Sequence, residues 1–159
     1  MKVYEGILDS IMPEVSYGHE KVYIHRSAAL ESAQVGYSVR ATGESLTGDR
    51  DGDWHRNWVV IGYEELCGDP IFIDTSREGF PVYTAMHGTG RWDAQPIAVS
   101  LEAFDLALKA IARIAIGREH PGVLAQNPLP ASEKDATISA IRRANPGIDL
   151  EFWEVILTE

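Results

Sequence analysis

The sequence predicts an α+β fold: a mostly antiparallel central sheet with helices packed on one face. Three observations predict it. Apolar runs at residues 58–63, 70–74 and 81–86 follow one another at intervals of about a dozen residues, which suits hairpins and leaves no room for a long parallel crossover. Residues 101–116 carry apolar side chains at helical spacing. The elements also come in blocks, strands and then helices, with one more strand-like segment at the end, instead of alternating.

Taken in order, Val3, Ile7, Leu8 and Ile11 fall on one side of a short helix that Pro13 stops. Val22 and Ile24 alternate with Tyr23 and His25 between residues 21 and 26, the pattern of a half-buried strand. Val35, Tyr37 and Val39 alternate in the same way over residues 33–40, predicting a further extended stretch. Residues 43–53 are turn chemistry, with Gly43, Gly48, Asp49, Asp51, Gly52 and Asp53. The three central runs are rich in β-branched and aromatic residues and bounded by Gly, Pro or Asp. Residues 96–99 add a short strand.

The helix over residues 101–116 has Ser100 as N-cap, acids Glu102 and Asp105 near its positive end, and Gly117 as the left-handed residue that ends it. Its apolar stripe of Phe104, Leu108, Ile111 and Ala115 is widened by Leu101, Ala107 and Ile114, so it should lie deep against the sheet. Residues 120–131 hold three prolines and read as an irregular connector. A second helix is predicted over 133–144, capped by Ser132 and ended by Asn145-Pro146-Gly147. Ile148, Leu150, Phe152 and Ile156 fall at even spacing, predicting a last strand over 148–157.

The chain has 159 residues, within reach of a single domain with its own core; residues 1–159 read as that domain, with 120–159 a C-terminal extension. Fourteen Lys and Arg against 24 Asp and Glu give a net charge of −10, which disfavours direct nucleic-acid binding because phosphate neutralisation needs a cationic face. The charge is spread along the chain, and residues 61–100, with 2 positive and 6 negative side chains, carry the most net negative charge per residue. No run of eighteen apolar residues predicts a membrane span. Glu5 and Asp9 interrupt the N-terminal stretch where a signal peptide needs an apolar core, so the expected location is the cytoplasm. The lone Cys67 permits no internal disulfide, and its acidic neighbours Glu64, Glu65 and Asp69 disfavour a reactive thiolate.

No chemical motif reads through. A calcium loop starting at Asp49 needs Gly at its sixth position and Glu at its twelfth, and the chain has Trp54 and Val60 there. His87-Gly88-Thr89-Gly90 follows a strand, but Pro96 comes too soon for the helix that a phosphate cradle requires. The five histidines form no helical pair, and no Gly-x-Ser-x-Gly elbow occurs. A spatial cluster of His55 or His87 with Asp69 or Asp74 stays open. The residues therefore predict no catalytic, cofactor or metal site. Trp54 and Trp92 lie in polar loops beside Asp53 and Asp93, as exposed partner anchors would.

From residue 58 onward the chain resembles one known family. Trp58-Val59-Val60-Ile61-Gly62, then Gly68-Asp69-Pro70-Ile71-Phe72-Ile73-Asp74, then Pro81-Val82-Tyr83, His87 and Trp92, then Ser100-Leu101-Glu102-Ala103-Phe104, is similar to the SUKH superfamily. That group is typified by the fungal Smi/Knr cell-wall synthesis regulators and is best populated by bacterial immunity proteins. Where its members carry a Leu-Pro step in the first helix, this chain has Ile11-Met12-Pro13-Glu14 and strand-like sequence after it. The resemblance implies an α+β fold, no catalysis and a protein ligand, most often a toxin domain held inactive in the cytoplasm. Many such toxins are nucleases with cationic clefts, toward which an acidic protein is steered. On that expectation the partner-binding residues are Asp49, Asp51, Asp53, Trp54, Glu64, Glu65, Trp92 and Asp93. The alternatives are an intracellular scaffold or regulator of the Smi/Knr type, and a metal-dependent hydrolase built on His87 and nearby acids.

Overall fold

A computed structural model describes residues 2–158. Helix α1 spans Val3–Ser10 and is followed by strands β1 (Glu14–Tyr17) and β2 (Glu20–Ile24). A 3-10 turn over Ser27–Ala29 and a single helical turn α2 (Leu30–Ala33) then lead into a long excursion. Four strands return from it: β3 (Trp58–Glu64), β4 (Pro70–Asp74), β5 (Val82–Thr84) and β6 (Gln95–Ala98). Helices α3 (Leu101–Ala115), α4 (Pro121–Gln126), α5 (Ala131–Ala144) and α6 (Glu151–Ile156) complete the chain.

The six strands pair in chain order, β1-β2-β3-β4-β5-β6, and every neighbour is antiparallel. This is the predicted α+β fold with an antiparallel sheet. The meander follows from its connections, since each strand is joined to the next at the same end of the sheet, by a turn or loop everywhere except the long excursion through α2 between β2 and β3. Gly62 of β3 pairs with Ile24 of β2, and a Cβ there would clash with the Tyr23 carbonyl oxygen. Glycine is thus required at that point for space. Beside it the register shifts between Val60 and Gly62, so Ile61 is an extra residue that bends the strand.

Strand alternation gives the sheet two apolar faces. One carries Ile24, Ile61, Ile71, Ile73, Val82 and Ile97 against Phe104, Leu108 and Ile111 of α3, all buried. Ser100 caps α3 as predicted, its Oγ accepting from the Ala103 amide at 3.0 Å. The 120–158 segment belongs to this same core. Leu124, Ile138, Ile141, Leu150, Trp153 and Leu157 are buried in it, and Trp153 Nε1 donates to the Ile97 carbonyl at 2.8 Å, tying α6 to β6. The other face carries Trp58, Val60, Phe72 and Tyr83, and is closed by Tyr37, Trp54 and Trp92 from two loops.

Several predicted elements differ. Residues 33–40 are not extended. They leave α2 and turn tightly, held by isolated bridges such as Val39 to Ser45. Here β2 has already ended, and Gln34 takes its place beside β3: its Oε1 accepts from the Val60 amide at 3.0 Å and its Nε2 donates to the Val60 carbonyl at 2.9 Å. The 120–131 connector holds the short helix α4, with Pro121 in its first turn, where a missing amide costs nothing. Helix α5 starts at Ala131 with Pro130 at its cap position, so Ser132 lies inside the helix. The last segment is helix, not strand. Leu150, Trp153, Ile156 and Leu157 are its buried stripe at three- and four-residue spacing, and Asp149 turns the chain into it by accepting from the Glu151 amide at 2.9 Å. In α1 the buried residues are Tyr4 and Leu8, while Val3 is exposed.

Candidate functional site

The predicted partner residues fall in two places. Asp49, Asp51, Asp53 and Trp54 lie in the turn before β3, and Trp92 and Asp93 lie in the loop between β5 and β6. These two loops touch. Gly52 has φ +88°, and a Cβ there would stand 2.9 Å from the Gly90 carbonyl oxygen, so only glycine permits the approach. Trp54 is not an exposed anchor. It is fully buried, its Nε1 donates to the Trp58 carbonyl at 3.0 Å, and its ring packs against Phe72 at 4.9 Å and Trp92 at 5.0 Å. Trp92 is half-buried over Trp54 and Tyr37.

The carboxylates of these loops are largely matched by cations. Arg56 pairs with Asp49 at 3.4 Å, Arg50 with Asp53 at 3.4 Å, and Arg91 with Asp93 at 2.8 Å. Exposed pairs of this kind add little stability, but they neutralise most of the local charge. Asp51 is left without a neighbouring cation among these pairs, so this surface is weakly acidic at most.

Glu64 and Glu65 lie elsewhere, at the end of β3. Glu64 builds the tight turn into β4: its carboxylate accepts from the Cys67 amide at 2.9 Å and the Asp69 amide at 3.1 Å. Glu65 faces Lys21 at 3.6 Å. Asp69 links this turn to the next loop, its Oδ1 accepting from the His87 amide at 3.0 Å and lying 2.7 Å from His87 Nδ1. The contact between His87 and Asp69, open at the sequence level, is therefore present. Among the described residues no three His, Cys, Asp or Glu side chains converge as metal ligands.

Beside Glu64 an open groove of about 590 Å³ runs between this end of the sheet and α6. Five carboxylate residues line it: Glu20, Glu64 and Asp69 from the sheet side, and Asp149 and Glu151 from the start of α6. No Lys, Arg or His is among its lining residues. Its walls are apolar. Leu66, Met86 and Val155 stand 63%, 68% and 52% exposed along it, with Phe152, Ile97 and Ile156 also contributing. A smaller cavity of about 340 Å³ between α5 and α6 differs in that Lys134 stands among its acids Asp135, Glu151 and Glu154.

The groove's titratable groups respond to the crowding. Glu20 has its carboxyl pKa raised, first by burial and then by the charge of Glu64, with His19 opposing. Cys67, exposed on the groove wall, has its thiol pKa raised, chiefly by Glu64. A thiol pushed in that direction stays protonated, the opposite of what a nucleophile requires.

Of the predicted residues, only Glu64 lines the groove. Glu20, Asp149 and Glu151 gave no sequence signal, because acids are common in this chain and only folding gathers them. A sequence signal did exist for one wall: Leu66 is a large apolar residue set among turn residues, where burial is not expected, whereas Met86 reads as the end of the 81–86 strand and lies beyond β5, which stops at Thr84. No family model, no curated protein and no solved structure matches the chain.

Proposed function

We propose that the protein is a non-enzymatic protein-binding domain that neutralises a toxin domain in the cytoplasm of the producing cell, by covering the toxin's active or substrate-binding surface. The observation that carries this reading is the groove, where five carboxylates flank exposed apolar side chains and no Lys or Arg lines the walls. Single exposed apolar residues are ordinary on a surface, but three along one groove favour a partner. The likeness of residues 58–104 to the SUKH superfamily supports the choice of partner class. The net charge of −10 supports the mode of capture, since it accelerates encounter with a cationic cleft such as that of a nuclease.

The side chains with the most reactive chemistry near the groove fit a contact role. Glu64 and Asp69 hold backbone amides of their own and neighbouring loops, and Cys67 is kept as a thiol. Co-expression with the C-terminal domain of a secreted protein encoded beside this chain is the test. Growth restored by the protein, with a complex recovered from the same cells, is the expected result. Growth arrest that persists at stoichiometric expression would overturn the reading.

A further inference from the structure

We infer that the groove between α6 and the β3–β4 turn receives a cationic amphipathic segment of the partner, apolar side chains inward and Lys or Arg toward the five carboxylates. The inference rests on the protein-binding reading above and adds the chemistry of what is bound.

The groove's make-up selects this occupant by elimination. A nucleic acid or any polyanion meets carboxylates only and is repelled. A second copy of this chain brings a net charge of −10 toward an acidic surface, and like charges across an interface are unfavourable. A lipid tail or other neutral apolar group would cover Leu66, Met86 and Val155 while stripping water from Glu20, Glu64 and Glu151 with no counter-charge, a costly exchange. A flexible polycation would pair the acids but leave the apolar walls in water. A segment with both features satisfies both parts at once, as amphipathic helices do when their apolar face enters a groove.

The raised pKa of Glu20 supports the same polarity. A carboxylate disfavoured by burial and by Glu64 gains most from an arriving cation. Cys67, the chain's only cysteine, lies exposed in the lining and reports directly on whether the groove is filled.

The probe is a synthetic amphipathic Leu/Lys peptide of roughly 14 residues, about four helical turns. The readout is the rate at which a maleimide alkylates Cys67 in the full chain. At about ten times its dissociation constant the peptide should slow alkylation roughly tenfold, the open fraction falling in proportion. Two substitutions at exposed positions of α6, Val155→Asp and Glu151→Lys, should each remove most of that protection while shifting the thermal midpoint by no more than about 2–4 °C. An oligolysine of equal charge, and a Leu/Glu counterpart, should protect far less.

Three outcomes overturn the inference: no protection by the Leu/Lys peptide, equal protection in both variants, or equal protection by oligolysine. A fourth comes from the toxin itself. If both variants still restore growth as the wild type does, the partner does not use the groove, although neutralisation stands. If the peptide protects Cys67 in the wild type alone while no toxin is neutralised, the groove's chemistry is upheld and the toxin-covering reading falls.

Discussion

The Trp54 ring stands perpendicular to that of Trp92, their centroids 5.0 Å apart, and the pair closes the sheet face opposite the helices. Trp54 is the centre of this small core, touching Tyr37, Trp58, Phe72 and Trp92. Trp54→Ala should therefore cost about 3–5 kcal/mol of stability, as large-to-small changes of buried aromatics do. Denaturant unfolding followed by circular dichroism checks this. A loss below about 1 kcal/mol would mean that the loop is only loosely packed.

Asn145 is fully buried and joins three elements. Its Oδ1 accepts from the Val99 amide after β6 at 3.0 Å, and its Nδ2 donates to the Ile141 carbonyl of α5 at 3.1 Å and to the Ala103 carbonyl of α3 at 3.5 Å. Asn145→Leu leaves the Val99 amide without this partner and should cost about 1–3 kcal/mol. Asn145→Asp should be worse near neutral pH, because a buried carboxylate would face carbonyl oxygens. Its folded-state pKa would rise, so part of the loss should return as the pH falls and the acid is protonated. Urea titrations of both variants at neutral and mildly acidic pH test the pair.

The pairing of Arg50, Arg56 and Arg91 with loop carboxylates predicts a contrast between the two acidic surfaces. Reversing Asp49, Asp51 and Asp53 to Lys should slow association with a cationic partner through net charge. It should leave the dissociation rate nearly unchanged, within about threefold. Surface plasmon resonance at two salt concentrations separates the effects. A large rise in dissociation rate would place the loop inside the interface.

Two groups predict opposite pH slopes of stability. His25, lodged against the rings of Tyr23 and Tyr63, has its pKa lowered from 6.5 by burial. Between that lowered value and 6.5 the unfolded chain binds more protons, so stability falls as pH drops through this window. Glu20 has its pKa raised from 4.5, so between 4.5 and the raised value the folded chain binds more protons and stability grows as pH drops. His25→Phe should flatten the first slope and Glu20→Gln the second. Denaturant midpoints across pH check both, and an unchanged profile in either variant contradicts the corresponding assignment.

Strong local signals made most of the fold legible. Residues 58–63 and 70–74 have β-branched and aromatic runs between Gly, Pro and Asp punctuation, and they became β3 and β4 with little change. Ser100 and the wide apolar stripe marked α3 from its cap. The failures share a cause. Residues 33–40 alternate like a strand, but their partner edge is taken by the Gln34 amide. In the last segment both a two-residue and a three-to-four-residue spacing can be drawn, and Trp153 decides between them by reaching the Ile97 carbonyl. Because α6 forms one wall of the groove, misreading it hid the groove as well. The gathering of Glu20, Glu64 and Glu151 depends on the packing of α6 against the sheet, which no local pattern encodes.

Under the proposed function the groove is the contact surface. Its most direct test is calorimetric titration of the partner domain used in the co-expression test against the wild-type protein and a Glu20→Lys/Glu151→Lys double variant. The wild type should bind, and the folded double variant should bind at least about a hundredfold more weakly, in keeping with reversal of two interfacial charges. Equal affinity of the two proteins would contradict it.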